Sequence, residues 1–257
     1  MKYIYTIIIG VLVYAGFATR TFGYLDLTTA GASVDYYGTV FTQEQTQPAG
    51  TGVFDSFLRI QANGTESGYN TSGTPAPLDD KRGAWTHNLQ LNQLAQVTVN
   101  GVKYYDFNLD INEPSSDTQS LLSLDVLKFY TSATGSKTTE EELNSLGTLR
   151  YDLSAHGTTY VLLDAKTGKP GSGSSDMQML IPVSTFAGAK ATDYVYLYSQ
   201  FGSHASSGGG FEEWSAATGS VSGSVAAVPE PSTTALFGGG LLLVLGFAWK
   251  RRTQAAA

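Results

Sequence analysis

The sequence predicts an all-β protein: a single antiparallel β-sandwich, jelly-roll-like, set between an N-terminal signal peptide and a C-terminal transmembrane helix. Three observations carry that expectation. Apolar residues through the middle of the chain recur with period two rather than 3.6. Glycine is abundant, at 29 of 257 residues, and aromatics make up 12% against only 14% charged residues, a mixture suited to strands and tight turns. Apolar runs lie at the two ends of the chain, flanked by basic residues.

The elements follow in order. Residues 1–23 read as a signal peptide: Lys2, then the apolar run Ile4 to Phe17, then small residues to Gly23. That run is short for a bilayer span. Residues 24–218 read as the β domain. Its clearest strand is Tyr105 to Asn112, where Tyr105, Phe107, Leu109 and Ile111 point to a core and Asp106, Asn108, Asp110 and Asn112 to water. Further strands are expected at Val53–Gln61, Leu121–Tyr130, Arg150–Leu153, Tyr160–Leu163, Met177–Val183, Tyr194–Phe201 and Phe211–Trp214. In Tyr194–Phe201 the tyrosines alternate with Val195 and Leu197, so both faces should be covered. Asn63-Gly64, Asn100-Gly101, Thr167-Gly168 and Gly202-Ser203 are turn signals, and Asn100-Gly101 predicts a tight hairpin. Only Glu140–Leu146 has a helical look, with acids near a start at Thr138 or Thr139. Residues 219–228 form a Gly/Ser/Ala/Val spacer.

The far end has three parts. Pro229, Glu230 and Pro231 come first, in an extended backbone that prolines enforce. The apolar segment Ala235 to Trp249 follows, about 22 Å long as a helix. Lys250, Arg251 and Arg252 close it as a stop-transfer cluster on the cytoplasmic side. This grammar resembles the PEP-CTERM sorting signal of exported Gram-negative proteins, over residues 229–257. The resemblance implies an exosortase that recognises Pro229–Pro231 and removes the tail. It implies an inner-membrane-anchored precursor held by the C-terminal helix, then a product at the cell surface or in the extracellular matrix, linked to exopolysaccharide and biofilm. The stretches Gly50–Gln61, Gly64–Thr71, Tyr105–Pro114 and Gly210–Trp214 also resemble exported proteins with this tail, which implies one β domain and no mechanism.

Charge and composition narrow the function. The net charge is −7. Between residues 24 and 228 lie ten of the fifteen basic residues and twenty-one of the twenty-two acids, a net of about −11. That argues against nucleic acid and favours cations, including a cation bridging to extracellular polysaccharide. With no cysteine there is no disulfide framework or thiolate chemistry. His87, His156 and His204 fit no zinc spacing and read as surface residues, and no Gly-x-Ser-x-Gly elbow exists.

The expected protein is therefore not an enzyme, with no catalytic residues and no established cofactor. Two alternatives share the scaffold. A glycoside hydrolase needs two carboxylates at a set separation. Glu212 and Glu213 are adjacent on a strand and so face opposite ways, while Glu66, Glu113 and one of that pair can meet only through the fold. A carbohydrate-binding module needs an aromatic platform, for which Trp85, Trp214 and the Tyr194/Tyr196/Tyr198 row are candidates. Calcium is the one cofactor considered, with oxygen ligands from Asp110, Asn112 and Glu113 or from Asn63, Glu66 and Asn70.

Overall fold

The computed structural model describes residues 23–43, 55–114, 116, 119–157, 159–167 and 175–218. The expected signal peptide (save Gly23), the spacer and the sorting tail lie outside these residues. Among the described residues no helix is long and apolar enough to cross a membrane.

In chain order the strands begin with β1 (Leu25–Leu27), β2 (Ser33–Tyr36), β3 (Thr39–Gln43), β4 (Ser56–Ile60), β5 (Asn63–Gly64), β6 (Glu66–Tyr69), β7 (Leu89–Gln90) and β8 (Gln96–Val99). They continue with β9 (Val102–Ile111), β10 (Leu121–Ser132), β11 (Thr148–Asp152), β12 (Val161–Asp164), β13 (Met177–Pro182), β14 (Tyr194–Phe201), β15 (Ser207–Gly208) and β16 (Glu212–Ala216). One sheet runs β1-β12-β10-β14-β6, with β11 on β10 and β7 on β14. The other runs β2-β3-β13-β9-β16-β4, with β8 on β9. β5 and β15 form a separate small pair. Pairing is antiparallel except between β1 and β12. The main pairings are nested: β4 with β16, β6 with β14, β9 with β13, β10 with β12. Successive pairs fall in alternate sheets, as in a double ribbon wrapped around one core.

That core lies between the inner faces. Phe41, Phe57, Phe107, Leu109, Met179 and Trp214 come from one sheet, and Leu122, Leu124, Leu127, Phe129, Leu197 and Phe201 from the other. The rings of Phe107 and Phe129 meet across it at 4.9 Å. Trp214 Nε1 donates to Ser199 Oγ of the facing sheet at 3.2 Å, so the indole keeps a partner while fully buried. The alternation of β14 is now explained on both faces. Val195, Leu197 and Phe201 enter the central core, while Tyr196 and Tyr198 join Tyr69, Tyr130 and Leu146 in a second cluster on the outer face.

The Asn100-Gly101 hairpin forms as expected: Val99 pairs with Val102, and both turn residues have positive φ, 50° and 82°. Three expectations are corrected. Residues 140–146 do not make a regular helix; only a 3-10 turn, Leu143–Leu146, forms there, and it serves to cap the tyrosine cluster with Leu146. Asn63-Gly64 is not a free turn but the strand β5, paired with Ser207-Gly208. The polar face of β9 is not wet along its length: Asn108 and Asp110 are buried, because β9 is central and its polar side chains meet polar neighbours. Gln178 Nε2 donates to Asp106 Oδ2 at 3.1 Å, and Glu213 and Ser215 lie opposite Asp110 and Asn108.

A buried cluster of three glutamates

At one end of the domain three strands deliver carboxylates to a single point. Glu66 is the first residue of β6, in one sheet. Glu212 is the first residue of β16, in the other, between Ile60 of β4 and Ile111 of β9. Glu113 follows two residues after β9 ends. One carboxylate oxygen from each lies within 4.8 Å of the others. Glu212 points inward because it shares a strand face with Trp214, whose indole reaches the opposite sheet. Its neighbour Glu213 faces outward and pairs with Arg59 at 2.6 Å.

The backbone holds the outer side of this cluster. Gly208 N donates to Glu113 Oε2 at 2.7 Å, and Ala62 N donates to Glu66 Oε2. Ser207 Oγ donates to Ala62 O at 3.0 Å, which ties β15 over the site. Two glycines permit the close approach. A Cβ on Gly208 would strike Glu113 Oε2, and one on Gly202, whose φ is 90°, would strike the carbonyl of Gly64.

The inner side has no such partners. Glu66 Oε1, Glu113 Oε1 and both oxygens of Glu212 are buried without a hydrogen-bond partner. The three residues are 1%, 7% and 0% exposed. The ion pairs Arg59–Glu213 and Lys128–Asp152, and the His204–Asp125 contact, engage other carboxylates. Burial raises the pKa of Glu113, partly offset by the bond from Gly208 N. Glu212 is pushed well above the usual carboxylate range, first by burial and then by the adjacent carboxyl groups of Glu66 and Glu113.

The sequence-derived candidates are thus divided by the fold. Glu66 and Glu113, which the sequence places in different calcium ligand sets but in one carboxylate trio with Glu212 or Glu213, come together and are joined by Glu212 rather than Glu213. Asn70 does not join them: it is buried elsewhere, bridging Val195 O and Leu197 N of β14 at 2.9 and 2.7 Å. Asn112 donates to Phe211 O, Asn63 is exposed on β5, and Asp110 sits opposite Glu213.

The aromatic platform is corrected as well. Tyr196 and Tyr198 are 0% and 7% exposed, and Trp214 is fully buried, so neither forms an open row. Trp85 is exposed, but Arg59 lies over its ring at 4.1 Å and over Phe211 at 4.8 Å. The histidines have separate settings. His87 Nδ1 lies 2.9 Å from Asn88 O, and His156 stacks on Tyr37 at 3.8 Å. His204 stacks on Tyr160 at 4.0 Å, with Nδ1 at 2.6 Å from Asp125 Oδ1. Ser123 is near this last pair, yet its Oγ donates to Asp125 and accepts from the backbone of His204 and Ala205. That is a loop anchor, not the serine-to-imidazole bond a nucleophile relay needs.

Comparison with known proteins finds the PEP-CTERM protein-sorting motif at residues 227–252. The chain therefore contains a PEP-CTERM sorting signal, the mark of an exported bacterial protein targeted to an exosortase. No curated protein and no solved structure matches the chain.

Proposed function

We propose that this chain is a non-enzymatic surface protein of a Gram-negative bacterium, with a structural or adhesive role in a polysaccharide-rich extracellular matrix. The observation that carries the reading is the sorting motif at residues 227–252. In this reading the exosortase grips Pro229, Glu230 and Pro231 while the Ala235–Trp249 helix and the Lys250–Arg252 cluster hold the precursor in the inner membrane. The nested strand pairing supports a jelly-roll domain as the displayed part. An acidic domain suits contact with polysaccharide through bridging cations rather than directly.

The enzyme alternative draws little support from the glutamate cluster. A glycosidase needs its two carboxylates in a cleft open to a sugar, whereas these are closed to solvent. The carbohydrate-binding alternative rests on fold analogy, since the aromatics proposed for it are covered or occupied. Changing Pro229 and Glu230 to Ala should leave an unprocessed, larger form in the membrane fraction on an immunoblot. Equal processing of variant and wild type would reject the sorting role of those residues.

A further inference from the structure

We propose that Glu66, Glu113 and Glu212 form a binding site for a hard divalent cation of the calcium class, which clasps the two sheets together at one end of the domain. The first ground is convergence. Carboxylate oxygens from β6, from the end of β9 and from β16 lie within 4.8 Å of one another, a spread that two calcium–oxygen bonds of about 2.4 Å span. The second is independent of the clustering. Glu212 is fully buried, and neither of its oxygens has a partner. A buried polar atom without a partner is costly, and a buried charge more so. Sequence patterning would place an apolar residue here, two positions before Trp214 on the core face, so the exception calls for a ligand.

The donor set selects the cation. All three side chains offer oxygen, with no nitrogen or sulfur, which suits calcium, magnesium or manganese and not zinc or copper. The backbone bonds to Glu66 Oε2 and Glu113 Oε2 fix two of the carboxylates from outside and leave Oε1 of each free. Three carboxylates against two positive charges leave one negative charge, in place of three. Because Glu66 belongs to one sheet and Glu212 to the other, the bound ion is a cross-sheet tie. Protons are the competing way to neutralise the cluster, with carboxyl groups bonding one another.

The test uses the full chain in detergent, stripped with EDTA and dialysed. Thermal melts are recorded with EDTA and with calcium, magnesium or manganese chloride, and bound metal is counted after equilibrium dialysis. At a hundredfold excess over Kd, the preferred ion should raise the melting midpoint by roughly 5 to 10 °C, with one ion bound per chain. Glu212→Gln keeps the shape and removes the group that must ionise to hold the ion. It should melt at least as high as wild type in EDTA and lose both the ion and the shift. A variant that is merely misfolded would melt lower in EDTA; Glu113→Gln then serves the same purpose. No shift with any of the three ions, as expected of a cluster neutralised by protons alone, would overturn the proposal. So would a shift that Glu212→Gln and Glu113→Gln both retain. Neither readout depends on processing of the tail.

Discussion

Replacing Asp80 by Asn should make the protein more stable at alkaline pH and leave it nearly unchanged under mild acid. Asp80 bridges to Ile60 and is 7% exposed. Its Oδ1 accepts from Tyr69 N at 3.0 Å, while Oδ2 is buried without a partner. Burial raises its pKa to about 8, against a lowering by the Tyr69 bond and a further rise from Asp79. In the unfolded chain an aspartate titrates near 3.9. Between those values the folded protein holds a proton that the unfolded chain has released, so stability falls as pH rises. The contribution is full below pH 4 and is lost as pH climbs through about 8. At about 1.4 kcal/mol per pH unit, the loss from pH 5 to pH 8 is about 3–4 kcal/mol. Asn keeps the acceptor for Tyr69 and cannot ionise. Urea unfolding of wild type and Asp80→Asn, followed by tryptophan fluorescence across that pH range, should show stabilities that diverge by this amount. The corresponding gap in melting midpoint is roughly 10 °C at pH 8. Parallel pH profiles for the two proteins would refute the claim that Asp80 is buried as an acid.

Two further outcomes follow from the core and the outer face. Phe129→Ala empties the centre of the sandwich, where that ring meets Phe107 at 4.9 Å and Phe186 at 5.9 Å. It should cost about 3–5 kcal/mol in denaturant unfolding; a loss below about 1 kcal/mol would mean that the sheets do not pack there. Arg59→Ala strips the charged partner from Glu213, which is 5% exposed and keeps only Ser56 Oγ as a donor among the described residues, and should destabilise by about 3 kcal/mol. Pairing it with Glu213→Gln should recover most of that loss, and a double variant no more stable than Arg59→Ala would show that the rings of Trp85 and Phe211, not the carboxylate, need the guanidinium.

Much of this protein was legible from local pattern, because a strand's side-chain alternation and a sorting tail are properties of neighbouring residues. The period-two run at β9, the Asn100-Gly101 hairpin and the tyrosine alternation of β14 all announced themselves in this way. So did the opposite facing of Glu212 and Glu213, and the order Pro-Glu-Pro, apolar run, basic cluster. Where local pattern misled, packing decided otherwise. The polar side of β9 reads as solvent-facing but is covered by β13 and β16, and the acidic stretch at 140–142 leads only to a 3-10 turn that caps the Tyr69 cluster. The glutamate cluster shows the limit most clearly. Glu66, Glu113 and Glu212 are 47 and 99 positions apart. Nothing near any of them in the chain marks it as buried or paired. They meet because nested strand pairing brings the starts of β6 and β16 and the end of β9 to one place. Composition and periodicity act through nearest neighbours, whereas the burial that makes these carboxylates costly, and therefore informative, exists only once both sheets have closed over them.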